Sequence, residues 1–306
     1  MWRPTPVRGD DDIEPSVVGA AVAAFRPGPE LVTGVEAVLA QVAAVVVVVD
    51  EHPVSDTTRD LLTSVRAAGA DVVEQPANRG IGAALNAGVT RLRELLPDLT
   101  HVLTLDQDSA VPEGYVSAML DAGETAEDAG VRVGMVAPDS VGSIVRMPRL
   151  RVEAPGVRLG EEPIQSGLLV PVEVLDRIGG FDEGLFIDGV DTDFYLRARD
   201  AGLRCVLAPG TRLEHRLGRA ITVGEGRELP LLVAATFRYH YQWRNLVTLT
   251  RRHGRGHPMW VVRATARAVR HLAIVTALAP GRTARLREAY GGLRAGLRGE
   301  TGARGR

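Results

Sequence analysis

The chain has 306 residues, of which 45% are hydrophobic, 24% are charged and only 4% are aromatic. This length and apolar fraction suit one large or two small globular domains, and they exclude disorder over the whole chain. The single cysteine, Cys205, excludes an internal disulfide framework. Because all 36 basic residues are arginine, lysine chemistry such as Schiff-base formation is also excluded.

The formal charge of −2 combines two parts of opposite sign. Residues 216–306 contain 18 Arg and 4 Glu, whereas residues 1–215 contain 18 Arg and 34 acidic residues. No apolar run reaches the roughly 18–20 residues that span a bilayer. The first residues also lack the basic and then apolar pattern of a secretory signal. We therefore expect a cytoplasmic protein with a disordered lead at residues 1–16.

From residue 17 onward, short β-rich runs alternate with helical patterns. The pattern predicts strands at Val17–Phe25, Val45–Val49, Asp71–Glu74 and His101–Leu105, and a helix near Ile81–Leu96. This alternation predicts a doubly wound sheet of Rossmann type. Ligands bind such sheets at the carboxyl ends of the strands, where Asp50 and Asp106 fall.

The second half of the chain is less regular. It contains predicted strands at Arg132–Ala137, Ile164–Pro171 and Leu203–Leu207, and a predicted helix at Thr192–Ala201. Gly218–Pro230 is interpreted as a polar loop, and the remainder as helices rich in arginine and alanine.

Asp106 and Asp108 follow the fourth predicted strand and are separated by one residue. Once the chain turns, their carboxylates can converge as hard oxygen ligands for Mg²⁺ or Mn²⁺, leaving open positions for substrate phosphates. An acidic turn exposed to water is the alternative, because aspartate is common in turns.

Two further segments combine small or acidic residues. Residues 78–88 would let a helix start pack under a phosphate-bearing ligand or simply against the sheet, but they lack a G-x-G-x-x-G dinucleotide fingerprint. Asp188, Asp191 and Asp193 lie at the opening of a helix, where an aspartate serves as a cap or as a general base. The three cannot all face one site, so at least one should be structural.

Together these segments resemble the family 2 inverting glycosyltransferases of the A-type fold, particularly their rhamnosyltransferase-like branch. The resemblance covers about residues 17–218, with a weaker extension through residues 238–249. It depends on the order of Phe25-Arg26-Pro27, Asp50, Asn78 to Gly88, Asp106-Gln107-Asp108-Ser109, Gln165-Ser166-Gly167, Gly179 to Glu183, Phe186 to Arg197, Gly202 and His215.

The resemblance implies a Rossmann-like, doubly wound mixed sheet forming a nucleotide-sugar-binding and catalytic domain at residues 17–218. A basic helical C-terminal region follows at residues 219–306. It also implies individual roles. The donor-binding residues would be Phe25, Asp50, Asn78, Arg79, Asp106 and Gln107. The ligands for Mg²⁺ or Mn²⁺ would be Asp106, Asp108 and His215, and the catalytic base would be Asp191. The residues that contact the acceptor or a phosphate would be Gln165, Ser166, Asp188 and Arg244.

The implied reaction is a single displacement with inversion, in which Asp191 takes the proton of an acceptor hydroxyl. The favoured donor is dTDP-rhamnose, and the favoured acceptor is a cell-envelope glycan or a polyprenyl-linked glycan. Glu51-His52-Pro53 departs from the usual family pattern and leaves the nucleotide open. The alternatives are a donor of galactofuranose or a UDP-hexose, or an inactive nucleotide- or glycan-binding protein. We expect no nucleic-acid partner, because such a partner would not account for the acidic pairs.

The C-terminal region offers two interpretations. Arg263, Arg267 and Arg270 recur at helical spacing, and a second basic amphipathic pattern follows Pro280-Gly281. Such helices either contact an anionic membrane, here the inner face of the plasma membrane, or pack on the main domain with solvated arginines. The aromatic and arginine-rich run around Arg244 likewise either shapes the acceptor site or packs its rings on the domain.

Overall fold

The structure is a computed structural model that describes residues 16–142, 145–146, 154–215, 219–223 and 227–305. The strands are β1 (Val18–Ala24), β2 (Ala44–Val49), β3 (Asp71–Glu74), β4 (His101–Asp106), β5 (Ser109–Ala110), β6 (Val133–Val141), β7 (Val145–Arg146), β8 (Arg158–Gly160), β9 (Leu168–Pro171), β10 (Arg204–His215), β11 (Arg219–Val223) and β12 (Arg227–Val233). The α-helices are α1 (Glu30–Leu39), α2 (Asp56–Ala67), α3 (Ile81–Leu95), α4 (Tyr115–Asp128), α5 (Val172–Ile178), α6 (Val190–Asp200), α7 (Arg238–His253), α8 (Pro258–Leu278) and α9 (Arg282–Arg298), with a 3₁₀ turn at Glu183–Leu185.

One large mixed sheet organises the first two thirds of the chain. Its strand order is β3-β2-β1-β4-β9-β6-β10-β5, with β7 added beside β6 and β8 beside β10. The first four strands are parallel to one another, β9 runs antiparallel to both β4 and β6, and β10 is parallel to β6. The predicted Rossmann-like, doubly wound mixed sheet is therefore confirmed.

The core follows from the apolar runs of the parallel strands. The valines at positions 45–49 are all buried, as expected for a strand that is covered on both faces. Leu103 and Leu105 of β4 are equally buried beside β1. Since β1 lies between β2 and β4, the carboxyl ends of these three strands meet at one edge of the sheet.

Several predicted boundaries differ from the structure. The polar loop predicted at Gly218–Pro230 is wrong where the structure describes it, because β11 and β12 pair there as an antiparallel hairpin. Strand β9 begins at Leu168 rather than at Ile164, since the Gly167 amide donates to the Thr104 carbonyl and ends the preceding loop. Strands β6 and β10 run longer than predicted because they pair along most of their length, with an irregularity between Ala208 and Arg212.

The C-terminal helices are present as predicted. Helix α7 packs along α9, and Tyr239, Val275 and Ala289 form a second small core there. Among the described residues, no helix combines the length and the apolar character needed to cross a bilayer. The predicted lead at residues 1–16 lies outside the described residues except for its last residue, and the boundary near residue 218 stays a prediction.

Candidate active site

The carboxyl ends of β1, β2 and β4 bring together residues that are far apart in sequence. Phe25 follows β1, Asp50 follows β2, and Asp106 ends β4 beside Ala23 of β1. The Phe25 amide donates to Oε1 of Gln107 at 2.6 Å, which ties the end of β1 to the turn after β4. The Phe25 ring stays 45% exposed at this edge, and the Arg26 guanidinium lies over it, 5.3 Å from the ring centroid.

Asp50 organises the loop that leads into α3. Its two carboxylate oxygens accept hydrogen bonds from the backbone amides of Arg79 and Gly80, both at 2.7 Å. Burial raises the pKa of Asp50, and these two amides act in the opposite direction. Gly80 has a φ of +89°, and a Cβ there would lie 2.2 Å from the Phe186 carbonyl oxygen. Asp50 therefore holds the loop in a conformation that favours glycine.

The other side chains of this loop point in different directions. Arg79 forms an ion pair with Glu183 at 2.6 Å, which connects the loop to the segment before α6. Asn78 is half-buried, and its Oδ1 has no hydrogen-bond partner within the described part of the chain. The packing alternative for residues 78–88 is also realised, because a Cβ at Gly82 would lie 2.9 Å from the Asp182 carbonyl oxygen. The donor-binding roles of Asp50, Asn78 and Arg79 stay predictions.

Gln165 and Ser166 support the end of β4 from the neighbouring loop. The Asp106 amide donates to Oγ of Ser166 at 3.0 Å, and that oxygen lies 2.6 Å from Oγ of Ser109. The Gln165 carbonyl accepts from the Thr104 hydroxyl at 2.6 Å. Its buried side-chain Nε2 has no hydrogen-bond partner among the described residues. Ser166 thus helps to fix the backbone that carries Asp106.

Asp106, Asp108, Asp188 and Asp191 form a group that we call the carboxylate cluster. Burial, together with the charges of Asp108 and Asp191, raises the pKa of Asp106 to about 7. Burial likewise raises the pKa of Asp191 to about 6, with a contribution from Asp188. The charge of Asp191 thus acts on Asp106, so Asp191 of α6 lies near the acids after β4.

Arg238 of α7 supplies positive charge to the carboxylate cluster. Its Nε and terminal nitrogen donate to the two oxygens of Asp188 at 3.0 and 2.5 Å. Its charge also lowers the pKa of Asp106, in opposition to burial. The sequence prediction missed Arg238 because it selected Arg244 from the same arginine-rich run. Arg238 is the first residue of that run, so composition alone could have suggested it.

Asp191 and Asp193 occupy the first turn of α6 in contrasting environments. Asp191 is half-buried, and its Oδ1 accepts a hydrogen bond from the Thr192 amide at 2.8 Å. Asp193 is fully buried and accepts from Arg197, Arg252 and His253 at 2.7, 2.7 and 2.9 Å. These partners hold the pKa of Asp193 well below its usual range although burial acts to raise it. Asp193 is thus the structural member of the predicted aspartate group.

Arg244 and Asn245 of α7 hold the segment that precedes Asp191. The Arg244 guanidinium donates to the carbonyls of Gly184, Leu185 and Gly302 at 3.2, 2.8 and 2.6 Å. Nδ2 of Asn245 lies 2.7–2.9 Å from the carbonyls of Leu185, Ile187 and Asp188. We call these contacts the α7 clamp. The Arg244 side chain thus contacts backbone carbonyls. The predicted contact of Arg244 with phosphate stays a prediction.

Part of the chain is similar in sequence to a known protein family. Residues 20–164 match the sequence model of the family described as Glycosyl transferase family 2. The chain carries a glycosyl transferase family 2 domain. The matched residues include Asp50, Asp106 and Asp108, and the match ends before Asp191.

Individual relatives of the family 2 domain cover different parts of the chain. The dTDP-rhamnosyl transferase RfbF of Shigella flexneri is 34% identical over 89 residues, which span 29% of this chain and 29% of that protein. The mannosyltransferase PcManGT from Pyrobaculum calidifontis, solved in complex with GDP-Man and Mn²⁺, is 18% identical with a TM-score of 0.54, covering 96% of this chain and 84% of its own. S. aureus TarS 1-349 has 14% identity and a TM-score of 0.48, covering 93% and 92%. The likeness to PcManGT supports the same A-type fold.

The metal ligands predicted for the family 2 domain are only partly described. The backbone of His215 pairs with that of Ser109 in β5, so His215 lies near Asp108. The side chain of His215 is not among those that the structure describes. Among the described residues, no three His, Cys, Asp or Glu side chains are grouped closely enough to hold a metal ion. Asp106 and Asp108 nevertheless offer the hard oxygen donors that Mg²⁺ and Mn²⁺ prefer. Burial, followed by the charges of Asp108 and Asp191, raises the pKa of Asp106, and a bound cation would favour its ionised form.

Proposed function

We propose that this protein is an inverting glycosyltransferase that moves a sugar from a nucleotide sugar to an acceptor hydroxyl. The observation that carries the proposal is the position of Asp191 on the first turn of α6, beside Asp106 at the carboxyl edge of a family 2 domain. One carboxylate thereby faces the acids that the family resemblance assigns to the diphosphate. This arrangement suits a base and a leaving-group site on the two sides of one sugar ring.

Asp191 acts as the general base in this proposal. With a pKa of about 6, its carboxylate is mostly ionised at neutral pH and still basic enough to accept a proton from the attacking hydroxyl. The acceptor oxygen forms the new bond to the anomeric carbon while the bond to the nucleoside diphosphate breaks on the opposite face. The configuration inverts, and no covalent enzyme intermediate forms.

Asp106 and Asp108, together with His215, would hold Mg²⁺ or Mn²⁺ on the leaving-group side. A divalent cation bound there offsets the charge that develops on the departing diphosphate. The presence of Mn²⁺ with GDP-Man in the archaeal neighbour supports this assignment. Arg238 stabilises the same region by holding Asp188 and by lowering the pKa of Asp106.

For the donor we propose dTDP-rhamnose, and for the acceptor a cell-envelope glycan or a polyprenyl-linked glycan. The similarity to RfbF over 89 residues supports the donor. A donor of galactofuranose or a UDP-hexose is the alternative within this function, because Glu51-His52-Pro53 departs from the family pattern beside Asp50. An inactive nucleotide- or glycan-binding protein is the second candidate, and the ionisable Asp191 argues against it.

We also propose that the protein works in the cytoplasm, in peripheral contact with the inner face of the plasma membrane. Helix α9 supports this contact, because Leu286, Tyr290 and Leu297 are 46–61% exposed among arginines. Arg263 and Arg267 of α8 instead pair with Glu161 and Glu162 of the main domain. The proposed membrane contact therefore lies on α9. Flotation with anionic liposomes tests it: a Leu286→Glu/Leu297→Glu variant should lose binding that the wild type retains.

A nucleotide-sugar screen tests the main proposal. Thermal unfolding is measured with dTDP-rhamnose, UDP-galactofuranose, UDP-glucose or GDP-mannose, each with Mn²⁺ or with a chelator. One donor should raise Tm by about 3 °C or more in the presence of Mn²⁺. Asp108→Asn should abolish this shift, whereas Asp98→Asn, in an exposed loop, should retain it. If no donor stabilises the wild type under any condition, the glycosyltransferase proposal is rejected.

A further inference from the structure

Arg238 has hydrogen-bonding capacity that its contact with Asp188 does not use. A guanidinium carries five N–H groups in a planar fork. Asp188 binds the side edge of this fork, because its two oxygens accept from Nε and from the terminal nitrogen Nη2 at 3.0 and 2.5 Å. The side chain forms no other hydrogen bond with the part of the chain that the structure describes. The outer edge, made of Nη1 and the second N–H of Nη2, can therefore bind another oxyanion.

The guanidinium of Arg238 lies near acids from both sides of the proposed active site. Burial acts to lower the pKa of Arg238, whereas its hydrogen bonds with Asp188 raise it. The charges of Asp106 and Asp191 raise this pKa as well. Charge interactions weaken with distance, so the guanidinium is close both to the strand ends and to the first turn of α6. In the proposed reaction, these are the leaving-group side and the acceptor side of the donor sugar.

The Arg238 side chain is held in place before any ligand binds. Its partner Asp188 has a φ of +65°, and the Asp188 carbonyl accepts from Nδ2 of Asn245 at 2.7 Å. Arg238 begins α7, and its backbone amide donates to the Ala235 carbonyl at 2.9 Å. Both partners of the ion pair thus sit on a fixed backbone. A donor group held in this way needs no reorganisation when charge develops on a leaving group, which favours strong electrostatic stabilisation.

The two arginines of α7 that contact the segment before Asp191 differ in their exposure. The Arg238 side chain is 40% exposed, so a ligand can reach it. Arg244 is 2% exposed, and its guanidinium donates to the carbonyls of Gly184, Leu185 and Gly302. The geometry therefore favours Arg238 over Arg244 for a contact with phosphate.

We propose that Arg238 bridges Asp188 and the diphosphate of the nucleotide-sugar donor and is a catalytic residue. The inference rests on the proposed function, which supplies the diphosphate. When the bond between the anomeric carbon and the diphosphate oxygen breaks, its electron pair stays with the diphosphate, and the outer edge of the guanidinium donates to the phosphate oxygens. The proton of the acceptor hydroxyl goes to Asp191. Arg238 thereby adds a positive charge of the protein itself to the leaving-group side.

Binding of nucleoside diphosphates tests this contact without any transfer reaction. Isothermal titration calorimetry is recorded on the full chain with dTDP, UDP and GDP in the presence of Mn²⁺. Arg238→Gln should weaken the binding of the diphosphate that the wild type binds by about 10-fold or more, because charge-assisted hydrogen bonds to phosphate are lost. Arg255→Gln, at an exposed position beyond the other end of α7, is the matched control and should bind like the wild type.

Asp188→Asn separates this role of Arg238 from a purely structural one. Both Arg238→Gln and Asp188→Asn break the same ion pair, so a structural pair predicts the same loss of diphosphate affinity in the two variants. In our proposal, Asp188→Asn keeps the guanidinium and removes a competing anion, so the diphosphate should bind as tightly as to the wild type or more tightly. A 10-fold weakening in Asp188→Asn would overturn the inference, and this result decides the question even if Arg238→Gln does not fold.

Arg238→Lys tests the bridging geometry. Lysine keeps the positive charge but lacks the planar fork, so it cannot bind Asp188 and a phosphate through separate edges. We expect Arg238→Lys to recover only part of the affinity that Arg238→Gln loses. Full wild-type affinity in Arg238→Lys would show that the charge alone is sufficient and would contradict the bridge.

The same titrations distinguish this inference from the proposed function. If the wild type binds none of the three diphosphates, the glycosyltransferase proposal fails and the inference fails with it. If the wild type binds one of them and Arg238→Gln binds it equally well, the glycosyltransferase proposal stands and the role of Arg238 is rejected.

Discussion

The two sides of the candidate active site are built in different ways. At the carboxyl edge of β1, β2 and β4, the strands themselves place Asp50 and Asp106, and the supporting hydrogen bonds come from adjacent loops. In the segment of residues 182–193, the chain is held by α7, which lies 50–60 residues further along. Half of the site thus follows from sheet topology, and the other half depends on a C-terminal helix.

This difference has a consequence for stability. Removing a ligand-facing side chain at the strand ends should change binding, because the sheet remains to hold the backbone. Removing a contact of the α7 clamp should change the position of Asp188 and Asp191 and should also destabilise the fold. Helix α7 lies outside the family 2 match, yet its side chains contact the segment that carries the proposed base.

The largest effect is expected from Asp191→Asn. This variant should lower the rate of sugar transfer by about 10²–10⁴-fold, because amide nitrogen and oxygen cannot accept the acceptor's proton. Its affinity for the donor should stay close to that of the wild type, as measured by titration with Mn²⁺ present. Asp60→Asn, an isosteric change on the exposed face of α2, serves as the control and should leave both quantities unchanged.

The two aspartates of α6 should respond to substitution with opposite changes in stability. Folding lowers the pKa of Asp193, so its ionised form stabilises the protein above about pH 4 and this stability is lost as the pH falls. Asp193→Asn should therefore lower the free energy of unfolding by about 3 kcal/mol at pH 7.5 and by nearly as much at pH 4.5, because the loss begins only below about pH 4.

Folding raises the pKa of Asp191 to about 6, so the ionised carboxylate costs stability that is regained as the pH falls below 6. Asp191→Asn should raise the free energy of unfolding at pH 7.5 by about 1–2 kcal/mol. Urea unfolding of both variants at pH 7.5 and pH 4.5 measures the contrast. Equal destabilisation by the two substitutions would show that their environments do not differ as described.

A smaller effect is expected from the α7 clamp. Asn245→Ala removes the amide that contacts three carbonyls before α6, and it should lower the free energy of unfolding by about 2 kcal/mol. The transfer rate should fall with it, while KM for the donor stays constant because Asp50 and Asp106 are untouched. Gln242→Ala on the same helix is the control. A selective rise in donor KM would place Asn245 in the donor site instead.

The smallest effect is expected where the two regions meet. Arg79 and Glu183 form an ion pair whose side chains are 53% and 39% exposed, so water screens most of its energy. Arg79→Gln should lower the free energy of unfolding by less than about 1 kcal/mol, similar to Arg66→Gln in the exposed Arg66–Glu74 pair. A loss above about 2 kcal/mol in Arg79→Gln alone would mean that the loop after β3 depends on the segment before α6.

The same comparison explains what the sequence could and could not predict. Asp50 and Asp106 were found because each follows an apolar run, and parallel strands align their carboxyl ends at one edge. Asp191 was found from its place at a helix start together with the family resemblance. The sequence prediction singled out the run around Arg244 and Asn245 but not Arg238, and it did not predict the backbone contacts of Asn245, because contacts across 50–60 residues leave no periodic signal in the chain.

In the C-terminal region, too, the sequence predicted the elements but not their long-range contacts. The helical spacing of Arg263 and Arg267 was correct, but spacing does not reveal that both pair with glutamates before β9. The hairpin of β11 and β12 was missed because Gly218, Gly224, Gly226 and Pro230 flank or interrupt its short strands and are typical of a loop. A cavity beside Trp260 is lined by residues of α6, of α8 and of the segment before β9, and no single stretch of sequence contains all three.

The pH dependence of sugar transfer tests the central claim most directly, namely that Asp191 is the base. With donor, acceptor and Mn²⁺ at saturation, the rate of the wild type should fall on the acid side with a midpoint at about pH 6 and about tenfold per pH unit below it. The residual rate of Asp191→Asn should lack this acid limb. A wild-type rate that stays level down to pH 4.5, or an acid limb that persists in Asp191→Asn, would contradict the account.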